Sequence, residues 1–329
     1  MSCHLGALPS FFVYYFLTPI CYLSHPGAST HTPPTALPLR PSTVLVPEDD
    51  HDAAYQSDAS QSLPRLAMCV FGQVKNIADD HGRRFMEHVI RPLMTYYPQI
   101  DVYLHTYNIE RFSNPRNGEH NVTIDVVSSL ERLVTMLLQM GPPGRVSLKG
   151  LNITEPLDAD RHFRPLEFYL SRGDPWDNEG ISMFNLLRQL YSLDHVTQQW
   201  ENDKGLNHYA AVVYTRPDLL FHTLLPLVAS QDGKRHVLLP NSIYAAPFDD
   251  ELGQAMNDRF AFGTPDVMRI YGHRMRYIEP YFDRYRQASL WSEKFLHKVM
   301  MEMHGFAYAR LENFFFSRVR ADGSYRSTR

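Results

Sequence analysis

A chain of 329 residues that is 44% hydrophobic and 12% aromatic can bury one large domain or two modest ones. Its formal net charge of −4, with 16 histidines, gives no basic excess and argues against a nucleic-acid partner. Three cysteines, Cys3, Cys21 and Cys69, share no C-x-x-C spacing, which excludes a cysteine-rich zinc site or a disulfide scaffold.

The first 64 residues read as separate from the fold. Residues 5–23, LGALPSFFVYYFLTPICYL, carry no charge, and the first Lys or Arg is Arg40. Roughly 20 apolar residues cross a bilayer, whereas a cleaved signal needs an apolar core of about 7–15. Both fit, because GAS at 27–29 supplies small residues for cleavage; we expect a signal anchor over 1–23. Residues 24–64 hold seven prolines, many Ser and Thr, and PEDDHD, a composition that cannot build a core. That stretch reads as a stem, leaving 65–329 as the folded domain. Anchor, stem and domain together describe a single-pass type II protein of the Golgi or endoplasmic reticulum membrane, its domain in the lumen. Two N-glycosylation triplets, Asn121-Val122-Thr123 and Asn152-Ile153-Thr154, agree with that location.

From Leu66 the pattern alternates between strand and helix. LAMCVFG (66–72) reads as a buried strand, and GRRFMEHVIRPLMTYY (82–97) as a helix with Phe85, Val89, Leu93 and Tyr97 on one face. DVYLHTY (101–107) is the second strand, SSLERLVTMLLQM (128–140) a helix, and RVSLK (145–149) the third strand. A Pro-, Asp- and Gly-rich loop (152–180) leads into the helix 183–200, whose buried stripe includes Phe184, Leu187 and Tyr191. YAAVVYTRPDLLF (209–221) then opens as a strand covered on both faces and breaks at Arg216-Pro217-Asp218. HVLLP (236–240) and RFAFG (259–263) follow as strands, with helices near 265–279 and 291–303 and a closing strand at 308–320. This alternation predicts an α/β fold: a mostly parallel, Rossmann-like central sheet with helices on both faces.

In such sheets ligands sit beyond the carboxyl ends of the strands, at a switch in strand order. FGQVKN (71–76) lacks G-x-G-x-x-G and G-K-S/T, which disfavours a dinucleotide site or a P-loop. It still presents Gln73, Lys75 and Asn76 to a base, ribose or phosphate, unless it is a plain solvated turn. Arg216 and Asp218 end the neighbouring candidate strand. Either they form an ion pair closing the strand, or they serve a ligand whose leaving group gains negative charge. Arg188, midway along its helix, is a phosphate contact or a snorkelling surface arginine. His105 reads as a hydrogen-bonded core histidine, Cys69 as a core thiol, and His304 as a helix end or an additional metal ligand.

Six short segments then fall in one order: GQVKN (72–76) as G-Q-x-R/K-N, DVYLHT (101–106) as D-x-Y/F-x-H-T, TRPDLLF (215–221) as an R-x-D strand end, NDRFAFG (257–263), SEKFL (292–296) and RVRADG (318–323). On these residues the chain resembles a group of GT-A-like glycosyltransferases that includes bacterial surface-polysaccharide synthesis proteins and algal relatives. The resemblance spans roughly 66–323. It implies a GT-A-like fold, a nucleotide-sugar donor, and a glycan or glycoprotein acceptor. Donor contacts would come from Gln73, Lys75, Asn76, Arg188, Arg216 and Asp218. GT-A enzymes usually carry Asp-x-Asp where this chain has Arg216-Pro217-Asp218. Asp218 would then be the ligand of a divalent metal (Mn2+ or Mg2+), with Arg216 in place of the first aspartate. Asp258 is the implied catalytic base, with Glu293 competing for the role; otherwise Asp258 is a turn residue and Glu293 a first-turn carboxylate favouring the helix dipole. Two other classes stay open. A sulfotransferase would need a Lys followed by Ser or Thr near the first strand, which GQVKNIA lacks. A non-catalytic lumenal binding protein is favoured by the loss of the first aspartate.

Overall fold

A computed structural model describes residues 63–75, 79–115, 118–139, 142–231, 233, 236–248 and 253–326. The expected anchor, nearly all of the stem and Asn76 lie outside the described residues. The chain divides into Met1–Ser57 and Asp58–Arg329, and everything below belongs to the second unit.

The N-terminal half runs β1 (Arg65–Phe71), α1 (Asp79–Phe85), a π-helical turn (Met86–Ile90), α2 (Arg91–Tyr96) and β2 (Gln99–Tyr107). A hairpin of β3 (Arg111–Asn114) and β4 (Glu119–Thr123) precedes α3 (Val126–Gln139) and β5 (Val146–Thr154). Two single-turn helices, α4 (Pro156–Asp160) and α5 (Leu166–Leu170), lead to the long α6 (Ile181–Lys204). The C-terminal half contains β6 (Ala211–Thr215), β7 (Leu219–Phe221), β8 (Ser242–Ala245), β9 (Phe260–Gly263), α7 (Pro265–Gly272), α8 (Ile278–Arg284) and α9 (Ser292–His297). A π-helical stretch (Lys298–Met303), β10 (Ala307–Arg310), β11 (Phe316–Val319) and β12 (Tyr325–Arg326) close it.

Seven strands form the main sheet in the order β5-β2-β1-β6-β9-β8-β10. All run parallel except β9, which is antiparallel to both β6 and β8. This is the mostly parallel α/β class expected from the sequence. β1 shows why it forms. Its side chains alternate, sending Leu66, Met68 and Val70 into the core under α1, α2 and α3, and Ala67, Cys69 and Phe71 into the core under α6 to α9. Because both faces are covered, the strand is apolar throughout instead of every second residue. α6 contributes Met183, Leu187, Leu190, Leu193, Val196 and Trp200 to the second core, each fully buried. Burying one such side chain stabilises the fold by about 1.5–3 kcal/mol. Trp200 Nε1 and Thr197 Oγ1 both meet the buried Tyr214 hydroxyl (3.0 and 2.7 Å), locking α6 onto β6.

Five departures from the sequence reading stand out. HVLLP is not a strand: Val237 and Leu239 stay exposed, and the strand begins at Ser242, after Asn241 turns the chain at φ 55°. The closing run 308–320 splits into β10, parallel to β8, and β11, antiparallel to β7, with Asn313 at φ 61° between them. The long loop at 152–180 holds the end of β5 and two short helices. Within it the Asp174 carboxylate accepts from the backbone N–H groups of Trp176, Asn178 and Gly180, tightening the entry to α6. The β3–β4 hairpin lacks a long apolar alternation and was not foreseen. Phe184, expected on the buried stripe of α6, is half-buried and lines an outer groove with Arg188.

α6 is also tied to α7 by charge. His273, 4% exposed, contacts Asp194 through Nδ1 (2.5 Å) and Glu201 through Nε2 (2.8 Å). Burial opposes protonation, but the two carboxylates outweigh it and raise the His273 pKa above 6.5. A raised folded-state pKa gives stability that is complete below about pH 6.5 and lost as pH rises through the folded value. The gap in melting temperature between the wild type and His273→Asn should therefore shrink from pH 6 to pH 9. A constant gap would assign His273 to packing alone.

Candidate functional site

The first strand is central: β2 and β5 lie to one side of β1, and β6, β9, β8 and β10 to the other. The chain reverses its direction of sheet growth between β1 and β6, which places a crevice at their carboxyl ends. The loops after β1 and β6 meet there. Gly72 begins the first loop at φ 99°, a left-handed conformation natural to glycine, and its N–H donates to Ser192 Oγ (2.7 Å). Arg216 opens the second loop, its N–H donating to the Arg259 carbonyl (3.1 Å).

Two antiparallel pairings bring distant residues to the same crevice. Because β9 runs against β6, its beginning lies at the end of β6, which delivers Asp258 and Arg259. Because β11 runs against β7, Arg318 pairs with Leu219, and the Val319 N–H donates to the Asp218 carbonyl (2.8 Å). The result is a solvent-open cleft of about 860 Å3. Of the residues singled out from the sequence, Gln73, Lys75, Arg188, Arg216, Asp258 and Glu293 all line it. Asp218 is 2% exposed and sits behind the lining.

Asp218 is surrounded by cations. Arg216 donates to it through both Nε and Nη2 (2.8 and 2.7 Å), and Arg318 Nε lies 3.0 Å from the same carboxylate. Lys75 Nζ stands 4.0 Å away and pairs with the buried Glu119 at 2.9 Å. Burial alone would raise the Asp218 pKa, but Arg216, Arg318 and Lys75 overcome it and hold the group far below the usual carboxylate range. Burial lowers Lys75 to about 8 despite the neighbouring Asp218. Glu119 also accepts from the Ala321 N–H (2.7 Å), binding the hairpin to the C-terminal segment.

A single glutamine links this cluster to the candidate base. Gln189 Oε1 accepts from Arg216 Nη1 (2.7 Å), while Gln189 Nε2 donates to Asp258 Oδ2 (2.8 Å). Ser292 Oγ donates to the same carboxylate oxygen, and the Tyr271 hydroxyl donates to the Asp258 carbonyl (3.1 Å). Arg259 lies between the two candidate carboxylates, 3.8 Å from Asp258 and 3.5 Å from Glu293. Burial would raise Asp258, but Arg259, Arg274, Ser292 and Arg216 bring it below its ordinary value. Arg188 does not snorkel: it grips Asp160 through Nε and Nη2 (2.8 and 2.5 Å). Gln73 Oε1 and the buried Asn114 Oδ1 accept no hydrogen bond from the described residues.

The residues do not fit the divalent cation that the Asp218 assignment implied. Both Asp218 oxygens already accept from guanidinium groups, three cations surround it, and Arg216 stands where the first carboxylate of Asp-x-Asp would be. No group of three or more His, Cys, Asp or Glu side chains that could hold a metal exists among the described residues. His304 lies at the end of the π-helical stretch, the helix end it was read as from the sequence. It stacks on Phe306 (12° between rings) and does not line the cleft. His105 bonds Ser192 and Thr154 in the core, and Cys69 is buried, both as expected. Arg259, Gln189, Arg318 and Glu119 carried no assigned role. The first lay inside the NDRFAFG segment and Arg318 opened RVRADG, so short-motif agreement was their signal; Gln189 and Glu119 had none.

The chain matches no protein-family model and no curated protein. It is similar to the solved structure of mouse xyloside xylosyltransferase 1 in its apo form, with 11% identity over 75% of this chain and 84% of that one, at a TM-score of 0.35. It is also similar to the glycosyltransferase GlyE of Streptococcus pneumoniae TIGR4, with 12% identity over 77% of this chain, at a TM-score of 0.34. The chain spans about half the length of GlyE, 46% in one structure and 45% in the apo form.

Proposed function

We propose that the protein is a glycosyltransferase that moves a sugar from a nucleotide-sugar donor to a hydroxyl of a glycan or glycoprotein. The carrying observation is the convergence of Lys75, Arg216, Arg259 and Arg318 with Asp258 and Glu293 in one cleft at the carboxyl ends of β1 and β6. In such a transfer the bond from the anomeric carbon to the diphosphate oxygen breaks and the diphosphate keeps the electron pair. The acceptor oxygen bonds to that carbon and releases its proton. The cations meet the charge that grows on the leaving group, which is worth most in a preorganised, partly dry site. Asp258 or Glu293 takes the proton. Gln73 and Asn114 accept hydrogen bonds from donor hydroxyl or ring N–H groups.

The test is a thermal-shift screen of the protein against UDP-, GDP- and CMP-sugars, followed by donor hydrolysis. A rise in melting temperature with one nucleotide class and measurable turnover support the proposal. A rise without turnover would favour a binding protein, a reading that the closed Arg216–Asp218 pair also supports.

The location in the secretory pathway is part of the same proposal. No helix among the described residues is long and apolar enough to cross a membrane, and 5–23 lies outside them. Asn121 and Asn152 are both exposed, on β4 and β5, so enzymes of the lumen would reach either triplet. Glycosidase treatment of protein from a secreting host should then increase gel mobility. Unchanged mobility would count against the lumenal placement.

A further inference from the structure

We infer that this cleft holds a diphosphate without a divalent cation, with Asp218 acting as the buried anion that gathers Lys75, Arg216 and Arg318 into one clamp. The identity of the ligand as a diphosphate rests on the transferase reading; the clamp itself rests on geometry.

The count of charges decides first. In direct ion pairs among the described residues, Lys75, Arg216 and Arg318 meet Asp218 and Glu119, three cations against two carboxylates, while Asp258, which also acts on Arg216, is itself offset by Arg259 and Arg274. A dication entering here would face three cations and find both oxygens of Asp218 already engaged. An anion would meet the opposite situation.

The donor geometry agrees. Arg216 spends Nε, one N–H of Nη1 and one of Nη2 on Asp218 and Gln189, out of five N–H donors on a guanidinium. Arg318 commits only Nε to Asp218, and its terminal nitrogens belong to a side chain that lines the cleft. Arg216, held edge-on to the buried carboxylate, and Arg318, held through Nε, thus keep uncommitted N–H groups on side chains that line the cleft, and guanidinium N–H pairs grip phosphate oxygens. Lys75 adds a point charge from the β1 loop, fixed between Glu119 and the face of Phe112 (4.2 Å to the ring centre). Its burial has lowered its pKa to about 8, so an anion bound nearby restores its proton. Affinity should therefore fall as pH rises past about 8.

Asp218 acts as a positioning residue and does not touch the ligand. Its removal releases the forks from one another, whereas removal of a metal ligand would abolish metal dependence.

The experiment is calorimetric titration of the full chain with inorganic pyrophosphate in excess EDTA, from pH 6.5 to 9.5. Manganese alone is tested in parallel by electron paramagnetic resonance. The expected results are pyrophosphate binding in EDTA that weakens above pH 8, and no stoichiometric manganese binding. Arg318→Gln, on a partly exposed side chain, should keep the melting transition and weaken pyrophosphate by about ten-fold or more. Asp218→Asn should lower the melting temperature and, titrated at a temperature where it is still folded, weaken pyrophosphate by a comparable factor. Pyrophosphate binding that vanishes in EDTA and returns with manganese would overturn the clamp, as would manganese binding lost on Asp218→Asn. Pyrophosphate binding in EDTA with no turnover of any nucleotide-sugar would keep the clamp and refute the transferase reading. Manganese-dependent turnover would do the reverse.

Discussion

Replacing Asp218 with asparagine should destabilise the fold by about 3–5 kcal/mol, the range found when one partner of a buried ion pair is removed. Asparagine keeps the shape and an acceptor oxygen, so no cavity explains the loss. What disappears is the anion in direct ion pairs with both Arg216 and Arg318 and 4.0 Å from Lys75, and these cations then repel one another in a site where Asp218 is 2% exposed. Denaturant unfolding with an unchanged slope is the measurement. A loss below about 1 kcal/mol would show that water or relaxation already screens the cluster. The pH dependence gives a second check. Because the folded-state pKa of Asp218 is depressed, its contribution is complete above the ordinary carboxylate value of 3.8 and declines as pH falls through and below it. The gap between wild type and Asp218→Asn should therefore narrow on acidification below about pH 4–5.

On the proposed function, removing the candidate base should have the largest effect on turnover. Asp258→Asn is expected to slow transfer by about 10²–10⁴-fold while leaving donor binding intact, the usual contribution of a positioned acid or base. Its neighbour Gln189 provides the more specific test. The Gln189 amide accepts from Arg216 and donates to Asp258 at once, which neither an arginine, a donor only, nor a carboxylate, an acceptor only, could do in its place. Gln189→Glu keeps the contact with Arg216 but sets a second carboxylate against Asp258, which must raise the pKa of that aspartate. In the wild type Asp258 lies below its ordinary value, so turnover should not titrate with this group between pH 5 and 8. In Gln189→Glu an acid limb should move up into that range, while Gln189→Met should slow turnover without moving it. An unchanged pH profile in Gln189→Glu, with full activity in Asp258→Asn, would transfer the base role to Glu293.

The sequence by itself determined the elements whose signal is local. A strand buried on both faces declares itself by an unbroken apolar run, as β1 and β6 do, and a helix by its 3.6-residue stripe, as α1 to α3 and α6 do. From these follow the α/β class and the loop at the end of β1, and Arg216 stood out because a charged residue ended a core strand. The short motifs added Asp258 and Glu293, and both line the cleft. The tertiary structure alone decided what Asp218 is. Its side chain looked like a metal ligand beside a lone arginine, but whether a carboxylate meets a metal or a ring of cations depends on residues from three other segments. Arg318 arrives 100 residues later by the antiparallel pairing of β11 with β7, Lys75 from the first loop, and Glu119 from a hairpin with no clear alternation. The pairing of β9 against β6 and the reach of Gln189 across α6 are likewise set by packing. Hydrophobic periodicity is written residue by residue along the chain, whereas the balance of charge in a buried site is a sum over neighbours that only folding brings together.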